Sequence, residues 1–177
     1  MSEEKKPKKK VNSKAKGGAF ELKVSKLLNE GLAPLKFKKS QMSGAIVGGM
    51  NAKTMGDYSK LTLALFTGDV VPANECVDGN PRFNFVVECK AYKEAERMEA
   101  LLAGTSNIYS WIKEAATDAA KVDKRGILIC KWNNTSIYAV VEADIGLPAD
   151  VKFITLLDGI KVCYFADLIK HPSFWMT

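Results

Sequence analysis

Glu88 and Lys90 close the run Phe83-Asn-Phe-Val-Val-Glu-Cys-Lys90, whose alternation is that of a β-strand. Successive strand side chains leave on opposite faces, so Glu88 and Lys90 emerge together while Val87 and Cys89 point the other way. Burying a carboxylate and an amine at the end of an apolar strand is costly unless their charge is offset, and a metal ion would offset Glu88. Taken alone, Glu-x-Lys is a common pattern whose ordinary role is a surface ion pair. A second acid changes the weighing. Gly68-Asp69-Val-Val lies 19 residues upstream, on a segment expected to pair with the first, so Asp69 can face Glu88 across a hairpin. Magnesium prefers an octahedron of oxygens with only one or two carboxylates, and Asp69, Glu88 and the backbone carbonyl of Cys89 meet that demand. Mn²⁺ is expected to substitute. A second Gly-Asp at Gly56-Asp57 offers another acid. Asp69 is preferred because an apolar pair and Pro72 follow it, which suits a strand ending at the site.

The elements that must position these residues can be read from periodicity. Phe20, Val24, Leu27 and Leu28 share one helical face before Asn29-Glu30-Gly31, predicting a helix over 18–30. Leu35 to Ser40 alternates weakly, and the glycine-rich stretch 43–56 reads as a loop near a ligand or interface. Lys60 to Phe66 and Gly68 to Val71 have strand character and, with 83–90, predict a hairpin with a long connection through Asp78-Gly79-Asn80-Pro81. Tyr92 to Leu102 reads as helix. A second helix over 108–122 carries Trp111, Ala115, Ala119 and Val122 on one side, with Ser106 or Asn107 as N-cap. Strands follow at 126–132, 136–142, 151–157 and 160–165, with an Asp158-Gly159 turn and a short helix from Ala166 to His171 ending at Pro172. The expected fold is α/β, a central mixed sheet flanked by helices with an αβββαβ core.

Composition narrows the chemistry. The length suits one core, and the expected organisation is a flexible lysine-rich tail, 1–16, followed by a single domain, 17–177. No apolar run is long enough to span a membrane and no secretory signal is evident, so a soluble, cytoplasmic protein is expected. Cys76, Cys89, Cys130 and Cys163 lie far apart, and His171 is the sole histidine. Histidine-based zinc sites and Ser-His-Asp triads therefore lack their parts, and any hydrolysis must run on carboxylates and lysine. Residues 1–40 carry 12 lysines against 4 glutamates, a net +8, while the rest of the chain is slightly acidic. Such a basic end would attract a polyanion, nucleic acid first, although a merely solubilising tail has the same composition.

These motifs together resemble the PD-(D/E)XK nuclease superfamily, whose signature is an aspartate, a variable gap and Glu-x-Lys on the next strand. Lys16-Gly-Gly-Ala-Phe-Glu21 is similar to the start of the first helix in archaeal and phage Holliday-junction resolvases. Ser43-Gly44-Ala45 after a basic strand also follows the order of the phage enzymes. Tyr109 to Ala115 is similar to the helix after the active strand, where related proteins often carry a glutamine; here that position falls at Glu114 or Lys113. The resemblance implies a restriction-endonuclease-like fold and catalysis by Glu21, Asp69, Glu88 and Lys90, with Glu21 acting on the metal through water. It implies cleavage leaving a 5′-phosphate and a 3′-hydroxyl. Lys14, Lys16, Lys36, Lys38, Lys39 and Ser43, and Lys53 beside them, would contact DNA phosphates without reading bases.

With no base-reading helix in view, the expected activity is structure-selective DNA cleavage, a Holliday-junction resolvase working in recombination or DNA processing, as a homodimer that makes two symmetric nicks. For a phage-encoded enzyme the place of action would be the host cytoplasm. The alternatives are a restriction- or repair-type nuclease with the same centre, and a non-catalytic DNA-binding protein that works through its tail. Trp111, Tyr109 and Trp132 could stack on unpaired bases, but at their spacings a core or interface role is the more ordinary one.

Overall fold

A computed structural model describes residues 13–40, 59–75 and 79–177. The helices are α1 (Ser13–Gly31), α2 (Lys60–Ala64), α3 (Met98–Leu102), α4 (Asn107–Ala120), α5 (Phe165–Leu168) and α6 (Pro172–Trp175). The strands are β1 (Phe37–Lys39), β2 (Val70–Pro72), β3 (Phe85–Tyr92), β4 (Arg125–Trp132), β5 (Ile137–Val141), β6 (Phe153–Thr155) and β7 (Lys161–Tyr164). They form one seven-stranded mixed sheet in the order β1-β2-β3-β4-β5-β7-β6, in which β3 and β4 run parallel and every other pair is antiparallel. Parallel neighbours require a crossover, and α3 and α4 carry it. No helix among the described residues is long and apolar enough to cross a membrane.

Helices cover both faces, so the central strands are apolar on both sides. On one face Phe20, Val24 and Leu28 of α1 pack on Val87, Cys89, Ile127 and Ile129. On the other, Ile108, Trp111 and Ile112 of α4 cover Leu128, Cys130 and Val140. Ser106 caps α4, its hydroxyl accepting from the Ile108 N–H at 3.2 Å. A Cβ at Gly126 would lie 2.5 Å from the Ala116 nitrogen, so a glycine lets α4 press this closely onto β4.

The foot of β3 is closed by the C-terminal elements. Trp175 is fully buried, stacks on Phe83 with centroids 6.1 Å apart, and donates from its indole nitrogen to the Leu168 carbonyl at 3.1 Å. Backbone bonds from Asn84 to Trp175 and between Arg82 and Thr177 tie the two segments together. Beside them lies a buried ion pair, Lys124 Nζ at 2.8 Å from Glu75, whose other oxygen accepts from the Phe83 N–H.

Several boundaries differ from expectation. Residues 60–66 are not a strand: Ser59 caps α2 by accepting from the Thr62 N–H at 3.1 Å, and Leu63 and Ala64 pack against Val86, Ala119 and Val122. The expected helix from Tyr92 begins only at Met98, because β3 continues to Tyr92 in register with Trp132 of β4. The first helix spans Ser13–Gly31 rather than 18–30, so Lys16 belongs to it and not to a tail. The short helix expected over Ala166 to His171 spans Phe165–Leu168, and Pro172 instead opens α6, where its missing N–H costs nothing.

Candidate active site

Midway along β3 the register Val70↔Val87 brings the residue before β2, Asp69, beside Glu88. The Asp69 N–H donates to the Val87 carbonyl at 2.8 Å, and its carboxylate Oδ2 accepts from the Cys89 N–H at 2.8 Å. Gly68 makes this approach possible. Its φ of +97° lies in the glycine region, and a Cβ there would sit 2.9 Å from the Val87 oxygen. Glu88 and Lys90 share a face, as period-two alternation requires, with Lys90 Nζ 2.6 Å from Glu88 Oε1. Cys89 faces the α1 side of the core. Across from Lys90 stands Glu114 of α4, at 3.9 Å. Lys113 instead lines a cavity with Glu142 and Asp144.

The electrostatics follow from this crowding. The Glu88 side chain is only 18% exposed, and burial, with the Asp69 charge beside it, pushes its pKa up from 4.5 to about 7 against the opposing pull of Lys90. Burial works against the Lys90 charge too, but the hydrogen bond and charge of Glu88, helped by Glu114 and Asp69, hold its pKa above the ordinary lysine value. Burial, then Asp69 and Glu88, raise the Cys89 thiol well above its usual range, so its sulfur stays protonated and its carbonyl is the available donor.

A measurable pH dependence results. Between about 4.5 and 7 the folded chain keeps a Glu88 proton that the unfolded chain has released. Metal-free stability is therefore expected to be unpenalised below that window and to fall as pH rises through it, by on the order of 3 kcal/mol in all. Urea unfolding at pH 5 and pH 8 in chelator checks this; equal or greater stability at pH 8 contradicts the burial-driven shift.

Glu21, on α1, forms an ion pair with Lys39 of β1 at 2.7 Å, close enough to β3 for its charge to act on Cys89. A Cβ at Gly18 would lie 2.8 Å from the Lys39 amine, so the Gly17-Gly18 pair leaves room for this contact. Lys39, expected to meet DNA, thus first neutralises Glu21. Lys16 donates to Asn133 Oδ1 at 2.8 Å, while Lys36 and Lys38 stand exposed along the edge strand. The side chain of Lys14, together with Ser43, Lys53 and Asp57, lies outside the described residues. Trp111 and Trp132 are each 8% exposed and belong to the core, and the Tyr109 hydroxyl donates to the Leu101 carbonyl. Among the described residues, no three histidine, cysteine or acidic side chains converge as a metal-ligand group, so the two carboxylates Asp69 and Glu88 form the acidic pair of this site.

The model of one protein family, described as Phage putative PDDEXK endonuclease, matches residues 12–154, a span that includes Glu21, Asp69, Glu88 and Lys90. No curated protein and no solved structure gives a significant match.

Proposed function

The chain belongs to that phage PD-(D/E)XK endonuclease family, and from this premise we propose that it is a Mg²⁺-dependent, structure-selective DNA endonuclease, a Holliday-junction resolvase acting as a homodimer. The observation that carries the reading is the meeting of Asp69 and Glu88 midway along β3 with Lys90 on the same face. The donor set fits a hard cation: two carboxylates and the Cys89 carbonyl are all oxygen, and burial, with Asp69 beside it, holds the Glu88 pKa high in the absence of added positive charge. Mg²⁺ is the ion proposed, with Mn²⁺ as a substitute.

When bound, the cation would supply positive charge to the scissile phosphate and acidify the attacking water. Asp69 and Glu88 would hold it. Asp69 is itself fixed by its bond from the Cys89 N–H, so the donor geometry is set before substrate arrives. Lys90, kept protonated by its acidic neighbours, orients the attacking water or offsets charge gathering on the phosphate. Glu21 acts one step further out, through water, with Lys39 balancing its charge. Lys14, Lys16, Lys36, Lys38, Lys39 and Ser43 would contact phosphates, a grip that carries no base information.

The test incubates labelled four-way junctions and linear duplex with Mg²⁺ or Mn²⁺. Paired symmetric nicks bearing 5′-phosphates are expected in the junction. Equal digestion of linear duplex overturns the junction assignment and leaves the nuclease; inertness on every DNA form overturns both. In unfolding experiments Mg²⁺ should raise the midpoint more at pH 8 than at pH 5, since the ion competes with the Glu88 proton.

A further inference from the structure

Beside the C-terminal end of β3 lies a groove of about 370 Å³ between the start of α1 and the ends of β3 and β4. Lys16 and Lys23 line it from α1, Lys131 from β4, and Tyr92 from the last position of β3, two residues beyond Lys90. No carboxylate lines this groove, whereas four other surface cavities each carry at least one. Its three lysines also lack an ion-pair partner among the described residues. Lys39, Lys60, Lys90, Lys121, Lys124 and Lys170 all pair with acids. Lys16 is held by an asparagine amide oxygen, and Lys23 and Lys131 have no carboxylate partner among the described residues. Three lysines and no acid beside the last residues of the strand that carries Glu88 and Lys90 suit a polyanion.

Tyr92 adds a second kind of recognition. Its ring is 48% exposed, yet it is fixed by stacking on the buried Trp111, with centroids 4.8 Å apart and planes at 23°. A half-exposed, pre-ordered aromatic ring beside a lysine-lined groove offers a platform for a nucleobase, and a base can reach it only when it is out of a duplex. We infer that this groove holds the DNA strand continuing from the scissile phosphate, with Lys23 and Lys131 on its phosphates and Tyr92 stacked on an unpaired base. The inference rests on the nuclease reading and deepens it: the substrate class is DNA with unpaired nucleotides next to the cut.

The experiment measures binding of the full chain, with metal chelated, to a fluorescein-labelled duplex bearing a single-stranded branch and to the fully paired duplex of the same sequence. Lys23→Ala combined with Lys131→Ala is expected to weaken binding to both DNAs roughly tenfold and to make the salt dependence shallower by about 1.5 in log–log slope. Tyr92→Leu, which keeps an apolar side chain over Trp111, is expected to weaken binding to the branched DNA alone, by roughly tenfold, and Tyr92→Phe to restore it. Wild-type-like binding by the lysine variant overturns the groove, as does failure of the wild-type chain to bind. A Tyr92→Leu effect that is equal on both DNAs, or absent, overturns the stacking. Cleavage by the wild-type chain in Mg²⁺ is read separately, so a chain that binds as expected but never cuts refutes the nuclease and not the groove.

Discussion

Asp69→Asn is expected to lower Mg²⁺-dependent cleavage by about a thousandfold or more while leaving the fold nearly as stable as before, and Glu88→Ala to lower cleavage as far. The two acids carry the negative charge that would bind the cation, and no third described acid is placed to replace either. The choice of substitution at Asp69 matters. Its carboxylate accepts from the buried Cys89 N–H, so Asp69→Ala orphans that donor and should cost an additional 1–3 kcal/mol or so of stability, whereas asparagine keeps an acceptor in place. At Glu88 the sign reverses. The side chain is pushed toward neutrality by burial and by Asp69, so removing it should raise metal-free stability above pH 7 even as cleavage disappears. Single-turnover rates with thermal midpoints for the same variants separate these outcomes; Asp69→Asn cutting at the wild-type rate would remove Asp69 from the site.

Beside the foot of β3, Glu75→Ala should cost about 3–5 kcal/mol, a large share of the stability of a domain this size. Side-chain exposures of 3% for Lys124 and 6% for Glu75 put both charges out of water, and Glu75 also takes the Phe83 N–H. Truncation takes the carboxylate away from a buried ammonium above the Phe83 ring and leaves the Phe83 amide without its Glu75 acceptor. Urea unfolding of Glu75→Ala beside Glu75→Gln divides the loss: glutamine keeps the amide bond and forfeits only the charge. Replacing both partners with apolar residues of like volume, Glu75→Leu with Lys124→Met, is expected to recover the part of the loss due to the unbalanced charge and not the part due to the Phe83 N–H. A loss below about 1 kcal/mol for Glu75→Ala would show that the pair is solvated in solution, where exposed pairs contribute that little.

Glu88, Lys90 and Asp69 are readable from the chain because their arrangement depends on strand alternation and a single antiparallel register, both local rules. Ser106 as a cap and the apolar face of α4 are readable for the same reason. Residues 60–66 mislead because Leu61, Leu63 and Leu65 alternate, and a five-residue helix is too short for its own period to declare itself. Tyr92 is lost to the helix pattern after it because only the parallel partner β4, 33 residues or more away in sequence, holds it extended. The pairing of Lys39 with Glu21, the pairing of Glu75 with Lys124 and the groove lined by Lys23 and Lys131 are invisible beforehand. Each joins elements whose proximity exists only once the sheet order is known. Charge counting alone cannot distinguish a lysine that neutralises an acid from one left for a ligand.

The strand that bears Glu88 and Lys90 rests on Phe83 and Phe85, and both rings are completed by a tryptophan from the last helix, with Arg82 and Thr177 clasping backbone to backbone. The strand that carries Glu88 and Lys90 therefore takes its support from α6, an element more than eighty residues further along the chain.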